Sequence, residues 1–175
     1  RLSRRMQLVH QLTIHAYLQY LREEPGEVRA LFDDLLISVT TFFRDPPTWA
    51  ALREQVIVPL LEATDSGDPI RAWVAGCATG EEPYSLAMLL CEELHRADKT
   101  TALQIFASDI DLDALAFARA GTYPENIAAD VSPERLRRFF VKGEHTYRIN
   151  KDIREAVVFA EQNLVSDPPF SKLDL

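Results

Sequence analysis

Through the first forty residues the apolar positions recur at helical intervals. Leu8, Leu12, Tyr17, Leu18 and Leu21 predict one amphipathic segment. Val28, Leu31, Phe32, Leu35 and Leu36 predict a second, with Pro25-Gly26 interrupting between them. The pattern breaks at V-T-T-F-F-R-D-P-P, residues 39–47, where Pro46 and Pro47 end anything regular. From there the period alternates. Residues 49–61 read as an amphipathic helix and 70–75 as a short strand. Residues 83–96 read as a helix with Leu86, Leu90 and Leu94 in register, and 103–108 as a second apolar strand. Asp111 suits a helix N-cap, and Gly121 suits the stop of that helix. Strand, helix, strand, helix in this rhythm predicts a parallel sheet with crossover helices.

An interruption follows. Ser132-Pro133-Glu134 is a helix start, and Arg135, Arg137 and Arg138 precede Phe139-Phe140. Lys142-Gly143-Glu144 reads as a turn, and Tyr147 and Ile149 alternate with polar residues as in a half-exposed strand. The sheet resumes with A-V-V-F-A at 156–160 and again at Leu173-Asp174-Leu175. The pattern therefore predicts a small, partial helical domain over 1–40 and an α/β domain over 41–175. Its sheet has four strands where doubly wound sheets usually have five or more, so a fragment of a larger protein is expected.

Composition narrows the class of function. Hydrophobic residues make up 47% of the 175 and charged residues 26%, as in ordinary globular proteins. No apolar run approaches the ~20 residues that span a bilayer, and no signal peptide is visible, so a cytoplasmic setting and no membrane insertion are expected. A net charge of -8 argues against a general nucleic-acid binder. Cys77, Cys91 and the scattered His10, His15, His95 and His145 have no metal-ligand spacing, so no metal is expected.

The chemistry concentrates in A-G-C-A-T-G-E-E-P-Y-S, residues 75–85. A glycine turn after a strand lets backbone N–H groups approach a ligand, here through Gly76 and Gly80, but Glu81 and Glu82 would repel a phosphate. The second strand also ends in acids, Asp109-Ile110-Asp111, placed to accept hydrogen bonds from two ribose hydroxyls. A nucleoside with positive charge and no phosphate satisfies both features, and S-adenosylmethionine is one. The plainer alternative is that Glu81 and Glu82 complement a helix dipole, each worth about 0.3–1 kcal/mol. That alternative does not account for the glycines and Asp109 together. An incomplete G-x-G-x-x-G speaks against a nicotinamide oxidoreductase.

The segments V-T-T-F-F-R-D-P-P, A-G-C-A-T-G-E-E-P-Y-S, F-A-S-D-I-D, A-R-A-G-T-Y, Q-N-L and D-P-P-F-S-K-L-D-L, in this order, closely resemble the chemotaxis receptor methyltransferases of the CheR type. The resemblance runs from about residue 4 to the end. It implies a class I methyltransferase domain, Rossmann-like and here incomplete, with an antiparallel β-subdomain inserted at about 124–152. It implies cofactor contacts from Thr40 and Arg44, with Ser38 where some members carry asparagine. It further implies Glu81 near the methionine end, Asp109 and Asp111 at the ribose, and Asn163 and Leu164 near the adenine. The implied reaction is methyl transfer to glutamate side chains of bacterial chemoreceptors, with S-adenosylhomocysteine as the other product. Arg44 is the candidate cation for holding the acceptor carboxylate. Arg135, Arg137 and Arg138 are either a solvated helix face or, as the resemblance favours, a dock for an acidic receptor helix. The competing reading is a catalytically incomplete cofactor-binding or sensory module of a larger signalling protein.

Overall fold

The computed structural model describes residues 1–35, 40–64 and 68–175. Ser38 and Leu36 therefore lie outside the described residues. The chain divides into two compact units, Arg1–Ser38 and Val39–Leu175.

The first unit holds α1 (Leu2–Leu8), α2 (Ile14–Glu23) and α3 (Pro25–Leu35). The apolar spacing from Leu8 to Leu21 does not form one helix. His10 takes a positive φ of 55°, and Thr13 starts α2 by accepting the Ala16 N–H at 3.2 Å. The helices do part here, α2 ending at Glu23, and Pro25 begins α3, because its missing N–H would be unsatisfied in a first turn anyway. The centre of this unit is polar. Glu27, only 7% exposed, accepts hydrogen bonds from Arg5 Nε at 3.0 Å, Arg5 Nη2 at 2.5 Å and the buried Tyr17 hydroxyl at 2.8 Å.

The second unit opens with α4 (Pro46–Leu52) and α5 (Val58–Ala63), joined without a break by a π-type turn at Arg53–Ile57. Pro59 lies just beyond this turn; it has no N–H to donate, and a widened turn removes the clash of its ring with the preceding one. Then come β1 (Ile70–Ala75), α6 (Glu81–Arg96), β2 (Leu103–Asp109) and α7 (Leu112–Ala120). β3 (Thr122–Pro124), α8 (Pro133–Phe139), β4 (Phe140–Lys142), β5 (Thr146–Ile149), α9 (Lys151–Ala156) and β6 (Val157–Glu161) complete it. The larger sheet is parallel, in the order β1-β2-β6, with Ala72 opposite Ile105 and Ala107 opposite Phe159. Residues 173–175 are not a strand. They hydrogen-bond along the other edge of β1, Asp174 N–H to Arg71 O at 2.8 Å and Trp73 N–H to Leu175 O at 2.9 Å.

One face of this sheet presents Ala72, Val74, Ile105, Ala107 and Val157. They share a core with Met88 and Leu90 of α6, Leu115 of α7 and Ile153 of α9. Small residues on the strands let the helices sit close. On the other face Trp73 is half-buried. Its indole N–H donates to Ser108 Oγ at 2.9 Å and its ring meets Phe170 edge-on at 5.5 Å. The second sheet is antiparallel, in the order β3-β5-β4. Phe42 fastens it to the unit's core by meeting Tyr123 at 4.9 Å and Phe140 at 5.6 Å.

Candidate functional site

Three chain reversals meet at the carboxyl ends of the parallel strands. After β1 the chain turns at Gly76, whose N–H, with that of Cys77, donates to Ser108 O on β2 at 2.7 and 3.0 Å. After β6 the Gln162 N–H donates to Asp109 O at 3.0 Å. Asp109 itself ties the turns together. One carboxylate oxygen accepts the Ala78 N–H at 2.7 Å and the other accepts the Asp111 N–H at 2.9 Å. A carboxylate has about four acceptor positions, so this half-buried group keeps capacity for further donors.

Gly76 stands at φ +70°, and a Cβ there would meet nothing within 4 Å. The space above the turn is therefore open for a ligand to approach backbone. Gly80, at φ +92°, is closed in instead. A Cβ there would lie 2.8 Å from the Ala118 Cβ and 3.1 Å from the Tyr123 hydroxyl oxygen. Two glycines of one motif thus serve different ends, access at Gly76 and close packing at Gly80.

Glu81 and Glu82 part company. Both fall in the first turn of α6, where the helix dipole favours acids. Glu82 is exposed, whereas Glu81 is half-buried and accepts a hydrogen bond from Thr79 Oγ1 at 2.6 Å. Burial pushes the Glu81 carboxyl above the ordinary carboxylate range, and the Thr79 hydroxyl opposes that shift. Glu81 and Thr40 line one cavity of about 230 Å³ with Thr79, Phe117, Tyr123 and Asp130. Cys77 is buried, and burial pushes its thiol up to about 12, which makes it an inert filler of the turn.

The F-F-R loop is held beside this turn. Phe43 (φ 49°) and Asp45 (φ 60°) bend it sharply, and the Phe43 N–H donates to Ser85 Oγ at 3.1 Å. Ser85 Oγ in turn donates to Glu81 O at 2.7 Å. Arg44 presents an exposed side chain, and its carbonyl accepts the Trp49 indole N–H at 2.9 Å. Asn163 is half-buried and closes its own turn, accepting the Val165 N–H at 2.9 Å, while Leu164 is exposed. Asp111 uses one oxygen to cap α7 through Asp113 N–H and Ala114 N–H, both at 3.0 Å.

The arginines of α8 are not equivalent. Arg135 grips Glu92 through two hydrogen bonds of 2.8 Å and lies 3.8 Å over the Phe43 ring. Its guanidinium is thereby committed inside the unit and is a poor dock. Arg137 and Arg138 remain exposed on that helix. The sequence did not single out Thr79, Ser85, Tyr123 or Asp130. The Tyr123 hold on Thr79 and the Phe43 hold on Ser85 span 44 and 42 residues, for which one sequence carries no local signal.

These carboxylate acceptors suit a ligand with cationic and hydroxyl groups and no phosphate. Among the described residues neither Glu81 nor Asp109 has an ion-pair partner. Also among the described residues, no helix is long and apolar enough to cross a membrane.

A Rhodobacter capsulatus protein, named "Uncharacterized 104.1 kDa protein in hypE 3'region", is 43% identical over all of the chain, which spans 18% of that protein. Chemotaxis protein methyltransferase 2 of Pseudomonas aeruginosa is 34% identical over 94% of the chain and 58% of its own length. The Escherichia coli chemotaxis protein methyltransferase is 32% identical over 95% of the chain and 57% of its own length. The chain thus spans less than two thirds of each of these relatives. Residues 38–175 match the family model described as CheR methyltransferase, SAM binding domain, so the chain belongs to that family and S-adenosylmethionine is its cofactor.

Proposed function

We propose that this chain forms the cofactor-binding part of a protein-glutamate O-methyltransferase that acts in the cytoplasm on bacterial chemoreceptors. The observation that carries the reading is the acid-rimmed turn. The turns at the strand ends leave Gly76 open and hold two half-buried carboxylates, Glu81 by a hydroxyl and Asp109 by backbone N–H groups. In this reading Glu81 and Thr40 take the amino-acid end of the cofactor. Gly76 and Gly80 shape its approach, Asp109 with Asp111 takes the ribose, and Asn163 with the Leu164 backbone flanks the adenine. The antiparallel sheet and its helix, about 124–152, are read as the family's inserted subdomain, and 1–40 as its helical domain.

The bound cofactor supplies a methyl group on a cationic sulfur, a good leaving group. An acceptor glutamate is already ionised at neutral pH, so this chain needs no general base. The products would be a methyl ester on the acceptor glutamate and S-adenosylhomocysteine. What the chain contributes is position and exclusion of water, which are worth several kcal/mol. Arg44, on its sharply bent loop, is assigned to hold the acceptor carboxylate. Arg137 and Arg138 are assigned to attract an acidic receptor helix to a protein whose overall charge of -8 would repel it.

The test is transfer of labelled methyl from S-adenosylmethionine to a chemoreceptor by the intact protein. Label released as methanol by mild base is the expected result, with transfer lost in Arg44→Ala. Base-stable label, or full transfer by Arg44→Ala, would contradict the assignment.

A further inference from the structure

The hydroxyl of Thr79 is aimed at Glu81, and Thr79 itself is fixed from behind. The Tyr123 phenol donates to Thr79 O at 2.8 Å across 44 residues, from β3 to the glycine turn. Tyr123 is 1% exposed and sits between the rings of Phe42 and Phe117, at 4.9 and 5.5 Å. Its hydroxyl also lies under Gly80, which leaves no room for a Cβ. The turn is therefore clamped at its midpoint by a rigid aromatic group, and the next side chain hands a hydrogen bond to the acid, Thr79 Oγ1 to Glu81 Oε2 at 2.6 Å.

We infer that Thr79 is a positioning residue for cofactor binding, holding Glu81 ionised and oriented toward the cationic amino-acid end of S-adenosylmethionine, with Tyr123 fixing Thr79. The inference rests on the placement of Glu81 proposed above. The physical need is clear. A half-buried carboxylate loses hydration and is drawn toward its neutral form, and a neutral acid offers little to an ammonium group. A hydroxyl donor restores part of that hydration and fixes one rotamer. The titratable groups that share the cavity with Glu81 are the Tyr123 phenol and the Asp130 carboxylate. Burial holds the phenol neutral far above neutral pH. Asp130 is exposed. Thr79 is the hydroxyl that counters the loss of hydration at Glu81.

The experiment is equilibrium titration of the intact protein with S-adenosylmethionine between pH 5.5 and 8. The wild type is compared with Thr79→Val, Thr79→Ser and Glu81→Gln, and thermal unfolding is recorded for each. Thr79→Val is expected to bind about tenfold more weakly at neutral pH, one hydrogen bond to a charged group being lost. Its deficit should grow as the pH falls, because its Glu81 protonates earlier. Thr79→Ser should restore both the affinity and the pH profile. Wild-type affinity and pH profile in Thr79→Val would overturn the inference, as would a Thr79→Ser as weak as Thr79→Val. Glu81→Gln separates the two claims. If it binds as tightly as wild type, the placement of Glu81 is wrong. If it weakens binding while Thr79→Val does not, only the role of Thr79 is wrong. Should Thr79→Val fail to fold, Thr79→Ala and Thr79→Ser in the same titration decide between the outcomes.

Discussion

The two ends of α6 carry acids under opposite terms. Near its C-terminus Glu93 is 4% exposed and faces two arginines: Arg53 Nε at 2.6 Å, and Arg96. Its neighbour Glu92 is gripped by Arg135. At the N-terminus Glu81 is also withdrawn from water, yet it is met by a threonine hydroxyl. Asp109, alongside on β2, is met by backbone N–H groups. At one end charge is cancelled within the fold, and at the other it is oriented and left standing. Withdrawing an uncancelled carboxylate from water is unfavourable for folding, so its retention here supports the binding role proposed for it.

Substitutions can break this contrast. The largest effect is expected for Gly80→Ala. It forces a side chain into left-handed backbone and against Ala118 and Tyr123, with an unfolding free energy lower by about 3 kcal/mol. Chemical denaturation measures this, and cofactor affinity should fall with it. Gly76→Ala keeps the strained φ but meets open space, so it should cost only about 1 kcal/mol in stability while still obstructing the ligand.

Next in size is Glu81→Gln, expected to weaken S-adenosylmethionine binding by about 2 kcal/mol in a direct titration. Its effect on stability should have the opposite sign. The carboxyl of Glu81 is raised in the fold, so its contribution is favourable below the unfolded-state value and lost as pH rises through the folded-state value. At neutral pH the glutamine variant should therefore unfold at a higher temperature than wild type. Glu93→Gln is expected to do the reverse. It should lose about 1 kcal/mol of stability, discounted for its partly exposed arginine partners, with cofactor affinity unchanged. The smallest effect is expected for Arg137→Glu with Arg138→Glu. Exposed rim charges act on encounter, so kcat/KM for receptor methylation should fall about threefold, more at low salt, without change in cofactor affinity.

Much of this arrangement is legible in local sequence. The β1 and β2 strands, the Asp111 and Ser132 caps and the Gly121 stop all form where short-range chemistry calls for them. Pro25 lies at the break between α2 and α3, as read, and also begins α3, because proline can both end one helix and start the next. The difference between Glu81 and Glu82 is one of helical phase. Adjacent residues on a helix differ by about 100° in direction, and a two-letter motif does not say which one faces inward. The clamp by Tyr123 and the tether of Phe43 to Ser85 join residues 44 and 42 positions apart, so no local window contains them. The commitment of Arg135 to Glu92 and Phe43 was hidden for the same reason.

The central claim is that uncancelled acid at this turn recognises the cationic end of the cofactor. A double-mutant cycle on the ligand tests it most directly. Wild type and Glu81→Gln are each titrated with S-adenosylmethionine and with an analogue lacking the α-amino group. The wild type is expected to prefer the amine-bearing ligand by about tenfold or more, and Glu81→Gln to lose most of that preference. Equal preference in both proteins would contradict it.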